Sequence, residues 1–133
     1  MDVYLTREAF SYLEAQALDS GESRAGGLLL GHKRGQRFFV EKVFPCRQSF
    51  FLSLANYWAL DRHFKGKIIG FYSLGTRSEN KARLLRPFAC GKVHLEVMRG
   101  QKKLIFKPSV IDYQKRFFFQ PVAIFFDSGE KNA

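Results

Sequence analysis

The spacing of apolar positions changes several times along the chain, and each change predicts an element. Val3 to Leu5 is a short β-prone start. From Arg7 to about Asp19, Phe10, Leu13 and Ala17 recur at i, i+3 and i+7, which predicts an amphipathic helix with its apolar face inward. Thr6 stands where a helix N-cap belongs, Glu8 lies at the favourable end of the dipole, and Ser20-Gly21-Glu22-Ser23 ends the helix. Gly26-Gly27-Leu28-Leu29-Leu30-Gly31 reads as a short strand buried on both faces, its glycines allowing close backbone approach. Lys33-Arg34-Gly35-Gln36 predicts a hairpin turn into Phe38 to Phe44, with Phe38, Val40, Lys42 and Phe44 on one face and Phe39, Glu41 and Val43 on the other. Pro45 is expected to stop that strand.

A second helix is expected over Phe51 to Phe64, where Leu54, Trp58 and Asp61 lie three to four apart, Leu60 and Phe64 extend the apolar side, and Gly66 supplies the stop. Lys67 to Tyr72 is a strand, and Ser73 to about Leu85 a polar, basic connection. Lys92 to Met98 alternates, with Val93, Leu95 and Val97 on one face and His94 and Glu96 on the other. Arg99-Gly100-Gln101 turns into a strand over Lys102 to Lys107, and the tail holds two aromatic, β-prone runs, Tyr113 to Phe119 and Pro121 to Phe126. This order predicts a single α/β (α+β) domain over residues 1–126, a mostly antiparallel sheet flanked by two or three helices, with a frayed polar tail at 127–133.

Composition narrows the class. A chain of 133 residues with 46% hydrophobic and 26% charged side chains fits one domain with a sizeable core, not a disordered or collagen-like chain. Two cysteines, Cys46 and Cys90, are too few for a disulfide framework. With no secretory signal and no apolar run near the roughly 18 residues that span a bilayer, a cytoplasmic protein with no membrane role is expected. The net charge of +10 is uneven: residues 1–61 are balanced, whereas 62–116 carry fourteen basic against three acidic side chains. Such a block marks either a solvated face or contact with nucleic acid, though the cations are dispersed among strands instead of forming one run.

Local catalytic chemistry is sparse. His32, His63 and His94 stand in no metal-ligand spacing, which leaves no metal site and no cofactor, and each reads as a surface or half-buried histidine. Cys46 and Cys90 lack a neighbouring base and read as small buried residues. The glycine-rich run 26–31 lacks the Lys-Ser/Thr ending of a phosphate loop.

Gly27-Leu28-Leu29-Leu30-Gly31, the hairpin into Phe39-Val40-Glu41-Lys42-Val43-Phe44-Pro45, a helix, and then Ile68-Ile69-Gly70-Phe71-Tyr72 together resemble the JAB/MPN (Mov34, JAMM) domain family over residues 2–110. Arg86-Pro87-Phe88-Ala89 followed by the strand Val93 to Val97 fits as well. The resemblance implies an MPN-like fold, and in active members a zinc isopeptidase. These carry a general-acid/base Glu three residues before the first glycine, His-Ser-His-Pro after Gly-x-Tyr, and a later Ser-x-x-Asp.

This chain departs at each position. Arg24 replaces the Glu, Ser73 and Gly75 replace the two histidines, and Lys81 replaces the aspartate if the loop is shortened to Ser78-Glu79-Asn80-Lys81. Zinc needs imidazoles and a carboxylate with an open position for water; a glycine offers no ligand, and a guanidinium or ammonium repels the ion. The resemblance therefore implies a non-catalytic member that binds a protein, either a second copy or another MPN-like domain. Phe117, Phe118, Phe119, Phe125 and Phe126 are its candidate interface. The alternative reading is a basic module for nucleic acid or another anion, with Arg24, Arg77, Lys81, Arg83 and Arg86 around the vacated site. A metal-dependent hydrolase with relocated ligands is the remaining enzyme reading.

Overall fold

The computed structural model describes residues 1–19, 26–46, 54–74, 84–101 and 103–127. Its elements are β1 (Asp2–Leu5), α1 (Arg7–Asp19), β2 (Gly26–Arg34), β3 (Arg37–Cys46), α2 (Leu54–His63), β4 (Ile68–Leu74), β5 (Val93–Arg99), β6 (Leu104–Gln114), β7 (Arg116–Pro121) and β8 (Ala123–Phe126), with one short 3-10 turn at Pro87–Ala89. The expected α+β class holds. The strands form one sheet in the order β7-β6-β5-β4-β2-β3-β1-β8. Ladders β2–β3, β2–β4, β5–β6 and β6–β7 are antiparallel, and β4–β5, β1–β3 and β1–β8 are parallel.

The two edge strands are consecutive in sequence, separated only by Val122, whose N–H donates to the Pro108 carbonyl at 3.2 Å. One residue cannot cross a flat eight-stranded sheet, so the sheet curls until its edges approach at that corner. The concavity holds α1. Ala9, Leu13 and Ala17 pack there against Val3, Val40, Leu95, Val97 and Val110, which come from both halves of the sheet. Thr6 caps the helix as expected, its Oγ1 accepting the Ala9 N–H at 3.2 Å. On the convex face α2 lays Tyr57, Leu60 and Phe64 against Leu28, Ile68, Phe71 and Ile111.

Two inserted residues correct the expected strand faces. Leu30 pairs with Lys42 and Gly31 with Val40, so Glu41 is an extra residue in β3; Leu29 pairs with Gly70 and Leu30 with Ile68, so Ile69 is an extra one in β4. A bulge reverses the alternation beyond it. Val43 therefore joins Phe38 and Val40 on the α1 side, and Phe44 turns out to meet Phe64 of α2 with ring centroids 4.9 Å apart.

Other boundaries shift for identifiable reasons. β3 runs through Pro45 to Cys46, because β1 leaves β3 after Val40 and the missing N–H faces no second ladder. β6 likewise runs through Pro108 to Gln114, since β7 pairs with β6 only from Ser109 onward. The run Tyr113 to Phe119 is not one strand: Lys115 at φ +70° folds it into the β6–β7 hairpin. β2 is longer than expected and ends at Arg34, with Gly35 at φ +60° in the turn. Strand β4 also takes in Ser73 and Leu74. The inward side of α2 is Tyr57, which is buried, with Leu60 and the following Phe64 partly buried, whereas Trp58 is 50% exposed. The helix start at 51–53, the turn at 20–23, the connection 75–83 and the tail 128–133 lie outside the described residues.

Candidate functional site

Beyond the extra residue at Ile69, β4 alternates cleanly. Tyr72 and Leu74 face α1, and Tyr72 Oη donates to Gln16 Oε1 on that helix at 2.6 Å. Phe71 and Ser73 face the convex side, where Phe71 packs under α2. Ser73 stands next to the last residue of β4 and is partly buried. Its Oγ is 3.0 Å from Nε2 of His94 on β5, a hydrogen bond whose donor depends on the imidazole tautomer.

His94 has no exposed surface, which corrects the expectation of a surface or half-buried histidine. Phe119 of β7 flanks it with ring centroids 5.5 Å apart, and Ser109 Oγ donates to its carbonyl at 3.5 Å. Next to this pair runs a groove of about 440 Å³ lined by Glu96, Lys107, Ser109, Phe119 and Pro121. Glu96 and Lys107 are register partners across β5 and β6. The groove thus offers a carboxylate, an ammonium and one hydroxyl beside an apolar wall completed by Phe106, Pro108 and Val122. Among the described residues no three His, Cys, Asp or Glu side chains converge as a metal site would require.

The candidate residues separate in space. Ser73 is in place on β4, whereas Arg24, Gly75, Arg77, Lys81 and Arg83 lie outside the described residues. Arg86 is exposed at the start of the 3-10 turn. Phe117 and Phe119 pack against the α2-side core, and Phe118 stands on the opposite face of β7. Phe125 and Phe126 are 49% and 41% exposed, though Phe126 stacks on Phe10 at 5.0 Å. Cys90 is exposed rather than buried, in the turn after Ala89, where its N–H bonds the Pro87 carbonyl. The alternation of β5 sets His94 with Glu96 opposite Val93, Leu95 and Val97, but it could not join His94 to Ser73, because their meeting needs the non-local parallel pairing of β4 and β5.

Tyr57 anchors the cover beside the site, with Phe88 at 4.8 Å and Phe71 at 6.1 Å between ring centroids. Burial, followed by the nearby Asp61 charge, pushes its phenol up to about 12. A folded value above the unfolded one makes the stabilisation complete below pH ~10 and lost as pH rises through about 12. Ultraviolet titration should show a tyrosine ionising near 12 that Tyr57→Phe removes. Between pH ~10 and ~12 the wild type should lose more stability than that variant; equal losses would show that the phenol is not buried.

No helix among the described residues is long and apolar enough to cross a membrane. No protein-family profile matches the chain, and no curated protein matches it. Among solved structures it is similar to the solution structure of a structural-genomics target from Desulfitobacterium hafniense, with a TM-score of 0.64 and 18% identity over 94% of this chain and 92% of that one. At that identity the likeness carries the fold alone: one curled α+β sheet spanning nearly the whole of both chains.

Proposed function

We propose that this chain is a non-catalytic MPN-like domain that acts by holding a protein partner. The observation that carries the reading is the Ser73–His94 hydrogen bond. In the resemblance, Ser73 occupies the place of the first zinc-binding histidine. Here a weak ligand stands in that place, and its hydroxyl is engaged by a buried imidazole. Arg24, Gly75 and Lys81 at the other family positions support the same conclusion from the sequence.

The edge of the sheet supports a binding role. Among the described residues β7 pairs with β6 alone, so its outer backbone groups can accept an extended segment of a partner. Tyr113, 54% exposed and packed on Phe117 at 4.8 Å, stands beside that edge. Aromatic residues of this kind are the usual anchors of protein interfaces.

The test joins metal analysis and an isopeptide-cleavage assay to light scattering and partner capture from the native extract. We expect no stoichiometric zinc, no turnover, and a dimer or a captured protein that Tyr113→Glu weakens. Stoichiometric zinc with turnover would overturn the reading. A strict monomer that captures nothing would do the same.

A further inference from the structure

We propose that the convex face of β2, β3, β1 and β8 is a binding platform for single-stranded nucleic acid. This goes beyond the partner-holding role and uses the other half of the sheet, which meets β7 only at the Val122 corner. The register sets it up. His32 pairs with Phe39, Phe39 with Tyr4, and Tyr4 with Phe125, which lines four rings across four neighbouring strands. At about 4.8 Å per strand the row spans roughly 14 Å. The rings follow one another closely: His32 stacks on Phe39 at 5.1 Å with an interplanar angle of 18°, and Tyr4 and Phe39 are 5.7 Å apart.

Arginines occupy the next row. Arg34 pairs with Arg37, and Arg37 with Asp2. Arg37 donates to both Asp2 carboxylate oxygens, at 2.8 and 3.0 Å, which fixes its guanidinium over Tyr4 at 5.9 Å and over Phe125 at 5.3 Å. Arg34 lies over Phe39 at 5.9 Å. The same hydrogen bonds hold the Asp2 carboxyl below the usual carboxylate range, so the pair persists under mild acid.

The α2-side core draws on β2, β4, β6 and β7 and includes none of this row, and Phe125 remains 49% exposed. A row of aromatic faces is not by itself a nucleic-acid site, but its charge selects the ligand. Arg34 and Arg37 belong to the platform, and the turn carrying Lys65 and Lys67 abuts it, with Gly31 N–H donating to the Lys67 carbonyl at 3.0 Å. Of the three acids nearby, Asp2 is taken up by Arg37, Glu41 lies 3.4 Å from His32 Nδ1, and Asp127 stands two residues beyond Phe125 at the end of β8, its N–H donating to the Leu5 carbonyl. Unstacked bases have apolar faces and a phosphate beside each, and they stack on aromatic rings and guanidinium planes while cations hold the backbone. A duplex hides its bases and would meet only the cations.

Fluorescence anisotropy of the full chain with labelled oligouridylate and oligothymidylate of about twelve nucleotides, against a duplex of equal length, tests this. We expect single strands to bind with a steep salt dependence and the duplex more weakly. Phe125→Leu, which keeps an apolar side chain but removes the ring, and Arg34→Glu should each weaken binding about tenfold, while Arg116→Glu on β7 should change it less than twofold. Both critical positions are exposed, so circular dichroism and melting should match the wild type. No binding at low salt overturns the proposal, as does equal binding of duplex, or equal loss from Arg34→Glu and Arg116→Glu. Self-association or protein capture that Phe125→Leu abolishes, without any oligonucleotide binding, assigns the face to a protein and also overturns it.

Discussion

Gly31→Ala is expected to destabilise the protein by roughly 3 kcal/mol or more, at or beyond the upper end of overpacking effects. A Cβ at Gly31 would collide with the Phe39 carbonyl oxygen, and it would lie 3.0 Å from the Phe39 carbonyl carbon and 3.1 Å from the Glu41 nitrogen. All three atoms are backbone, so no side chain can swing aside. The collision falls where β3 carries its extra residue, and β1 is tied to the same place, with Thr6 N–H donating to the Val40 carbonyl at 3.1 Å. Relief would have to separate β2 from β3 or remove the bulge, and either disturbs Val43 and Phe44 on opposite faces. For a domain of this size the expected shift in Tm is about 10 °C. Gly35→Asn is the control: its φ is +60°, nothing lies within 4 Å of a Cβ there, and asparagine tolerates that backbone conformation. We expect it to cost less than about 1 kcal/mol. A Gly31→Ala protein that melts within ~2 °C of the wild type would refute the close approach.

Leu95→Ala should cost about 2–5 kcal/mol in chemical unfolding. Leu95 has no exposed surface and belongs to the core between the sheet and α1. Its neighbours are held by the curl of the sheet: Val3 and Val40 reach this core from one side, and Val97 and Val110 from the other. Strands closed around a helix cannot collapse freely into a cavity, which favours the upper part of the range. Leu18→Ala, on the same helix-bearing side but 59% exposed, should stay within ~0.5 kcal/mol. If the two substitutions cost the same, the core is not packed as described.

The candidate site was legible only in part. Its serine stood out only as the residue that follows Gly70-Phe71-Tyr72, and the alternation in β5 put His94 and Glu96 on one face. That Ser73 and His94 meet depended on β4 and β5 lying side by side, with residues 75–92 between them in the chain. The phenylalanine-rich tail shows the same limit. Period-two alternation separates Phe118 from Phe117 and Phe119, but only the turn at Lys115 places them on an edge strand.

The sequence by itself determined the local elements: the capped α1 with its inward Leu13 and Ala17, the alternation of β5 and the glycine-rich β2. These follow from periodicity and side-chain chemistry, which neighbours in sequence are enough to express. Tertiary structure decided the rest. The bulges at Glu41 and Ile69, the passage of strands through Pro45 and Pro108, and the meeting of β7 with β8 at Val122 all depend on which ladder lies on which side. The rings of His32, Phe39, Tyr4 and Phe125 come from four separate segments, and only the order β2-β3-β1-β8 sets them in one row. Pairing between distant strands is set by the burial of two opposite faces at once, and no local stretch of this chain records that condition.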